Sequence, residues 1–234
     1  MSAPAFIEML GFRPAPGVRL WRADLDACTD AGLTPPGADR GYADRDVLLQ
    51  ILARELGRPA ASLNLARDEF GRPRLVGGSP IDFNMSRSDS EALIAVSSAG
   101  QVGVDVERVR PVIDVGVLVE TQFSDEERAA WLGRDGTERD AAFLTVWTRK
   151  EACVKALGIG LRVPLAALDC GCLEDRRRVE VEVGDGRCDV EVVTVPIGDR
   201  SIAAVATTTF RDAERARRFF RWRVPSHTAR APRD

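Results

Sequence analysis

Histidine is all but missing from this chain: of 234 residues only His227 carries an imidazole. It lies in a polar, arginine-rich tail ending Ala-Pro-Arg-Asp, where fraying is the default. Hydrolysis by a Ser-His-Asp triad, histidine-ligated zinc and histidine general-base chemistry all need an imidazole in the core, so all three are set aside. Carboxylates, lysine and hard metals remain. Cysteine is sparse too: Cys28, Cys153, Cys170, Cys172 and Cys188 make an odd number in a chain too large to need disulfide staples, and reduced thiols are the simplest reading. Cys170 and Cys172 stand one residue apart with no second pair, which is not zinc-ribbon spacing.

A charge of one sign is also lacking. With a formal net charge of −3 there is no global basic field to draw nucleic acid or anionic lipid, so any polyanion site must be local. No apolar run approaches the roughly 18 residues of a membrane span, and Met1 to Gly11 lacks a basic region followed by an apolar one. The expectation is a soluble, cytoplasmic protein with no membrane or nucleic-acid partner. Short-period repeats and low-complexity linkers are absent as well, which disfavours a solenoid or a flexible two-module chain.

What is present suits an ordinary globular protein, of one large domain or two small ones packed together. A strand is expected near Gly17 to Asp24, then a Pro/Gly loop at Thr34 to Gly41. Val47, Leu48, Ile51, Leu52 and Leu56 recur at helical spacing, with Gly57 as C-cap, and their stripe should face a sheet. Beyond the loop Glu69 to Arg74, a segment from Pro80 to Ser86 leads to an apolar, strand-like run, Ala92 to Ser98. The second half follows a similar plan, with a strand at Gln101 to Val106, helices beginning near Ser124 and Asp140, and strands at Val179 to Val183, Val190 to Pro196 and Ile202 to Thr207. The alternation of these last runs suits antiparallel hairpins, with Asp185-Gly186 as a turn. The fold class expected is α/β (α+β), in two halves.

Three segments carry candidate chemistry. In Gly103-Val104-Asp105-Val106-Glu107, strand alternation projects Asp105 and Glu107 to one face and Val102, Val104 and Val106 to the other. The acids are either solvated residues of an edge strand or a pair held together by a cation such as Mg²⁺. In Trp147 to Lys155, Glu151 and Lys155 are i,i+4 neighbours beside a buried stripe, either a surface ion pair or the rim of a cleft. Phe83-Asn84-Met85-Ser86-Arg87-Ser88, preceded by Gly71-Arg72-Pro73-Arg74, offers hydroxyls and guanidiniums that suit phosphate, although polar turns contain them anyway.

In this order the segments resemble the Sfp-type (surfactin-synthetase-activating) 4′-phosphopantetheinyl transferases, over roughly Arg45 to Leu161. The motifs that carry the likeness are Gly71-Arg72-Pro73, Phe83 to Ser88, Gly103 to Glu107, Phe123 to Glu127 and Trp147 to Lys155. The resemblance implies a pseudo-twofold arrangement of two similar halves with mainly antiparallel sheets and coenzyme A in the cleft between them. Residues 1–100 would be the coenzyme A-binding half, 101–210 the half with the metal site and catalytic helix, and 211–234 an arginine-rich tail. Matched by motif position, Asp105, Glu107 and Glu151 look like ligands for Mg²⁺, with Mn²⁺ as a substitute. Lys155 looks like a pyrophosphate contact and Glu151 like a candidate base.

Arg45, taken as the opening of the first-half helix, is similar to the family's arginine near the adenosine. Arg72 stands where lysine is usual, and Ser86 belongs to the phosphate-binding segment. Glu127 is read as metal-proximal or as a helix-terminus acid. Arg87 replaces the family's histidine: it either keeps the phosphate contact without a titrating group or misplaces coenzyme A through its bulk. The implied reaction is attack by a serine of an apo acyl or peptidyl carrier protein on the β-phosphate of coenzyme A, releasing 3′,5′-ADP. The alternatives are a coenzyme A or carrier-protein binding module with weak or no transferase activity because of Arg87, and a magnesium-dependent phosphohydrolase. Carrier docking is expected around Val112 to Phe123. The arginines from Arg211 to Arg223 are read as a solvated helix or as an aid to docking.

Overall fold

The computed structural model describes residues 6–33, 40–68, 70–158, 164–172, 174–183 and 186–210. The arginine-rich tail with His227, most of the loop from Thr34, Glu69, Leu161 and Asp185 of the expected turn lie outside the described residues.

Two four-stranded antiparallel sheets form the frame. The first contains β1 (Phe6–Glu8), β2 (Val18–Asp24), β5 (Asp82–Ser88) and β6 (Glu91–Ser97) in the order β1-β2-β6-β5. Against one face lies α2 (Arg40–Leu56), whose Val47, Leu48, Ile51 and Leu52 pack on Trp21, Phe83, Ile94 and Val96, as the apolar stripe requires. Gly57 ends this helix at a φ of +62°, where a side chain would be strained. The helix begins at Arg40, so Arg45 sits in its second turn and does not open it. Short α1 (Leu25–Asp30), capped by the Asp24 carboxylate, and the hairpin of β3 (Leu65–Arg67) and β4 (Pro73–Leu75) complete this half.

The second sheet runs β7 (Val102–Arg108), β10 (Ser201–Phe210), β9 (Gly186–Thr194), β8 (Arg176–Val183). Its helices are α3 (Gly116–Gln122), α4 (Asp125–Leu132) and α5 (Gly136–Leu157). Helix α5 starts four residues before the expected Asp140, because its first buried apolar residues are Ala142 and Phe143 and the polar turn ahead of them carries no periodic signal. Helix α3 was not expected: Val119 is its one buried residue. In both halves an early strand, β2 or β7, pairs with the closing one, β6 or β10, around inserted helices.

The faces away from α2 and α5 share one core. Val18, Leu20, Leu93 and Ala95 from the first sheet meet Val102, Val104, Val106, Ala203 and Val205 from the second. Where the edge strands β5 and β7 adjoin, there is no backbone ladder. Polar side chains on alternate positions of β5 replace it: the Val102 amide donates to Asp82 Oδ2 at 2.9 Å, the Val104 amide to Asn84 Oδ1 at 2.9 Å and the Arg108 amide to Ser88 Oγ at 3.1 Å. Period-2 alternation thus satisfies an edge that would otherwise expose donors.

Candidate functional site

The site grows from β7. With Val102, Val104 and Val106 turned into the shared core, Gly103, Asp105 and Glu107 face α5. A Cβ on Gly103 would fall 2.1 Å from the Ala152 carbonyl oxygen and 2.3 Å from the Ala156 nitrogen, so the helix rests directly on the strand at this residue. That close approach brings Glu151 and Lys155 beside the two acids. Lys155 Nζ lies 2.6 Å from Asp105 Oδ1 and donates to Ser86 Oγ at 3.1 Å, while Ser86 Oγ donates to the same Asp105 oxygen at 2.7 Å. Ser88 Oγ donates to Glu107 Oε2 at 3.1 Å. The ion pair that i,i+4 spacing allowed between Glu151 and Lys155 is replaced by one that crosses from helix to strand.

Burial pushes the Glu151 carboxyl above its ordinary value of 4.5. Lys155 opposes the rise, and the charges on Asp105 and Glu107 reinforce it. Glu107 is raised as well, by burial first and by Asp105 second. Asp105 Oδ2 is buried with no hydrogen-bond partner. Mutually repelling carboxylates and an orphaned anionic oxygen are the condition that a hard divalent cation relieves. Among the described residues no group of three or more His, Cys, Asp or Glu side chains is placed to hold a metal ion. Mg²⁺ commonly binds through one or two carboxylates and takes its other oxygens from water and substrate phosphates, and the residues present fit that use.

The phosphate-binding candidates divide. Ser86 joins the acidic cluster, whereas Arg87, one residue on, points to the opposite side of β5 and donates from Nε to Asp44 Oδ2 on α2 at 2.8 Å. Arg45 adjoins Asp44, is exposed, and reaches Asp46 only at 3.8 Å. Arg72 departs from its expected place: its guanidinium is buried and donates to Asp82 Oδ2 and the Val102 carbonyl at 2.7 Å, to the Phe83 carbonyl at 2.8 Å and to the Lys155 carbonyl. Those bonds clamp the first half onto β7 and α5 and leave the charge inside the protein, away from a phosphate. Nη2 and Nη1 reach these four acceptors between them from one rigid plane, a spread a lysine ammonium would not span.

Glu127 also resolves. It closes a capping box with Ser124, accepts from the Cys170 amide at 2.8 Å and pairs with Lys150 Nζ at 2.7 Å, both side chains being fully buried. It is a structural residue that fastens α4 to α5. The Ser-x-x-Glu spacing pointed to the cap, but Lys150 carried no signal. Arg149, likewise fully buried, donates to the Cys170 and Glu174 carbonyls and to Thr194 Oγ1. Residues 149 to 151 therefore point to three environments, and only Glu151 faces the cluster.

Sequence comparison meets this geometry from another side. A profile described as the 4′-phosphopantetheinyl transferase superfamily matches residues 101–206, the span that holds β7 and α5. The 4′-phosphopantetheinyl transferase AcpT of Salmonella typhimurium is 38% identical over 90 residues, 38% of this chain and 47% of the relative. HetI of Nostoc sp., described by the same activity, is 30% identical over 165 residues, 62% of this chain and 70% of the relative. Sfp of Bacillus subtilis is 25% identical over 168 residues, 70% and 73% respectively. The chain spans about half the length of AcpT and of the Aneurinibacillus migulanus relative gsp. Among the described residues no helix is long and apolar enough to cross a membrane.

Proposed function

Because this chain belongs to the 4′-phosphopantetheinyl transferase superfamily, we propose that it transfers the 4′-phosphopantetheine arm of coenzyme A to a serine of an apo acyl or peptidyl carrier protein in the cytoplasm, releasing 3′,5′-ADP. The observation that carries the reading is the cluster in which Lys155 meets Asp105 while Asp105 Oδ2 stays unpartnered beside Glu107 and Glu151.

The carrier serine oxygen bonds to the β-phosphorus, the bond from that phosphorus to the 3′,5′-ADP oxygen breaks, and the hydroxyl proton is taken up by Glu151. Burial raises its pKa above the ordinary carboxylate value, which makes it a stronger proton acceptor than an exposed glutamate. Lys155 places a positive centre against the pyrophosphate, and Ser86 orients it. Mg²⁺ or Mn²⁺ held by Asp105, Glu107 and Glu151 would neutralise charge on the pyrophosphate oxygens. Arg45 and Arg87, near Asp44 on α2, serve the other phosphate of coenzyme A. Residues 1–100 contribute these groups, and residues 101–210 contribute the carboxylates and the catalytic helix. The exposed Ile113, Val117 and Leu118 suit the carrier docking surface.

The purified chain incubated with coenzyme A, Mg²⁺ and an apo carrier protein should add one phosphopantetheine to the carrier by intact mass. No addition with several unrelated carriers defeats the proposal. Glu151→Gln is expected to lower the rate by at least about 100-fold, while raising the thermal midpoint of the metal-free protein at neutral pH. The sign follows from the shift: an acid whose folded pKa is raised destabilises the fold above that pKa and has no effect below its ordinary 4.5. The gain should therefore vanish as pH falls to that value. A lower midpoint for Glu151→Gln at neutral pH would count against the assigned environment.

A further inference from the structure

At the end of β5 remote from the cluster, the segment from Arg13 to Gly17 folds over the ends of β2 and β6 and encloses a cleft of about 690 Å³. Ile81 on its wall is five residues from Ser86, about 17 Å along an extended chain, so this is a separate place. Pro14, Ala15, Pro16 and Ile81 give it an apolar lining, and Arg13, Arg19 and Arg176 are its charged residues. Their carboxylate partners, Glu8, Glu55 and Glu191, stand outside the lining. Arg13 reaches Glu8 only at 3.5 Å, with its side chain 55% exposed. Arg176 comes from the second half, pairs with Glu191 at 2.8 Å and donates to the Pro14 carbonyl at 3.0 Å, so the rim is fixed from both halves.

A cavity of this size is in the range of small-molecule sites, which combine an apolar wall with a few placed polar groups. Here every charged residue of the lining is an arginine, and arginine forks match planar or tetrahedral anions. We propose that the cleft binds a small organic anion: an apolar body against Pro16 and Ile81, with a carboxylate, sulfonate or phosphate beside Arg13 and Arg176. The site is independent of the transfer reaction and of coenzyme A.

The test titrates the full chain with 8-anilinonaphthalene-1-sulfonate, read by fluorescence and calorimetry, with saturating coenzyme A and Mg²⁺ present. A single saturable site is expected, unaffected by coenzyme A. Uncharged N-phenyl-1-naphthylamine should bind at least about tenfold more weakly. Arg13→Gln/Arg176→Gln should weaken the sulfonate by a similar factor. Pro16→Glu, an exposed change that sets an acid at the mouth, should do the same if the arginine pair proves unstable to heat. Displacement by coenzyme A, equal binding of the uncharged dye, or undiminished binding in folded Pro16→Glu would overturn the proposal.

Discussion

Gly103→Ala is expected to destabilise the protein by about 3 kcal/mol or more and to lower transferase kcat/KM by at least about 100-fold. The added carbon would lie 2.1 Å from a backbone oxygen of α5, and neither the strand nor the helix can turn a side chain aside to make room. Restoring a contact of roughly 3.2 Å requires a displacement of about 1 Å, borne by the helix that carries Glu151 and Lys155. Misplacement on that scale disables reactions that depend on orientation. Urea unfolding measures the first effect and steady-state kinetics on the remaining folded protein the second. Gly116→Ala is the control, since nothing lies within 4 Å of its missing carbon and its backbone is not left-handed. It should be neutral within about 0.5 kcal/mol. A Gly103→Ala protein as stable and active as Gly116→Ala would show that α5 does not rest on β7 as described.

The second large effect belongs to Lys150. Replacing it with methionine leaves Glu127 fully buried with only the Ser124 and Cys170 amides as partners, at an expected cost of about 3–5 kcal/mol. Glu127→Gln alone should be similarly severe, because the ammonium keeps only the Leu165 and Leu168 carbonyls. The double variant removes both charges and should recover at least about 2 kcal/mol of the summed loss. Additive losses would mean that the two side chains do not meet. Enough folded Lys150→Met at low temperature should still transfer the arm, since Lys150 faces away from the cluster that Glu151 enters. Loss of turnover in that folded fraction would reassign Lys150 to the chemistry.

Much of the site was legible because its logic is one-dimensional. Period-2 alternation put Asp105 and Glu107 on one face of β7, and helical spacing put Glu151 and Lys155 on one face of α5. Strands β2, β6, β7, β8, β9 and β10 and helix α2 were readable for the same reason, whereas the three-residue β1, β3 and β4 were too short to show a period. What alternation cannot announce is a charged side chain buried against backbone oxygen. Arg72 reads as a phosphate contact, and Arg149 and Lys150 carry no signal at all, since burial of Arg or Lys is rare without a partner. Besides Asp82, Thr194 and Glu127, their partners are main-chain carbonyls, among them those of Phe83, Val102, Leu165, Leu168 and Cys170, which have no letter in the sequence. Helix α3 and the first turn of α5 escaped for the opposite reason, burying too little to leave a pattern.

The side-chain seam between β5 and β7 gives the molecule an adjustable gauge. A backbone ladder would hold the strands about 4.8 Å apart whatever their sequence. Here the interval is set by the lengths of Asp82, Asn84 and Ser88, so residue choice dimensions the gap between the half that bears Arg45 and Arg87 and the half that bears Glu151 and Lys155. Exchanging Asn84 for glutamine on this one strand would widen the interval without altering Asp105, Glu107, Glu151 or Lys155. Selection thus has a way to change the spacing of the two halves while those four residues stay as they are.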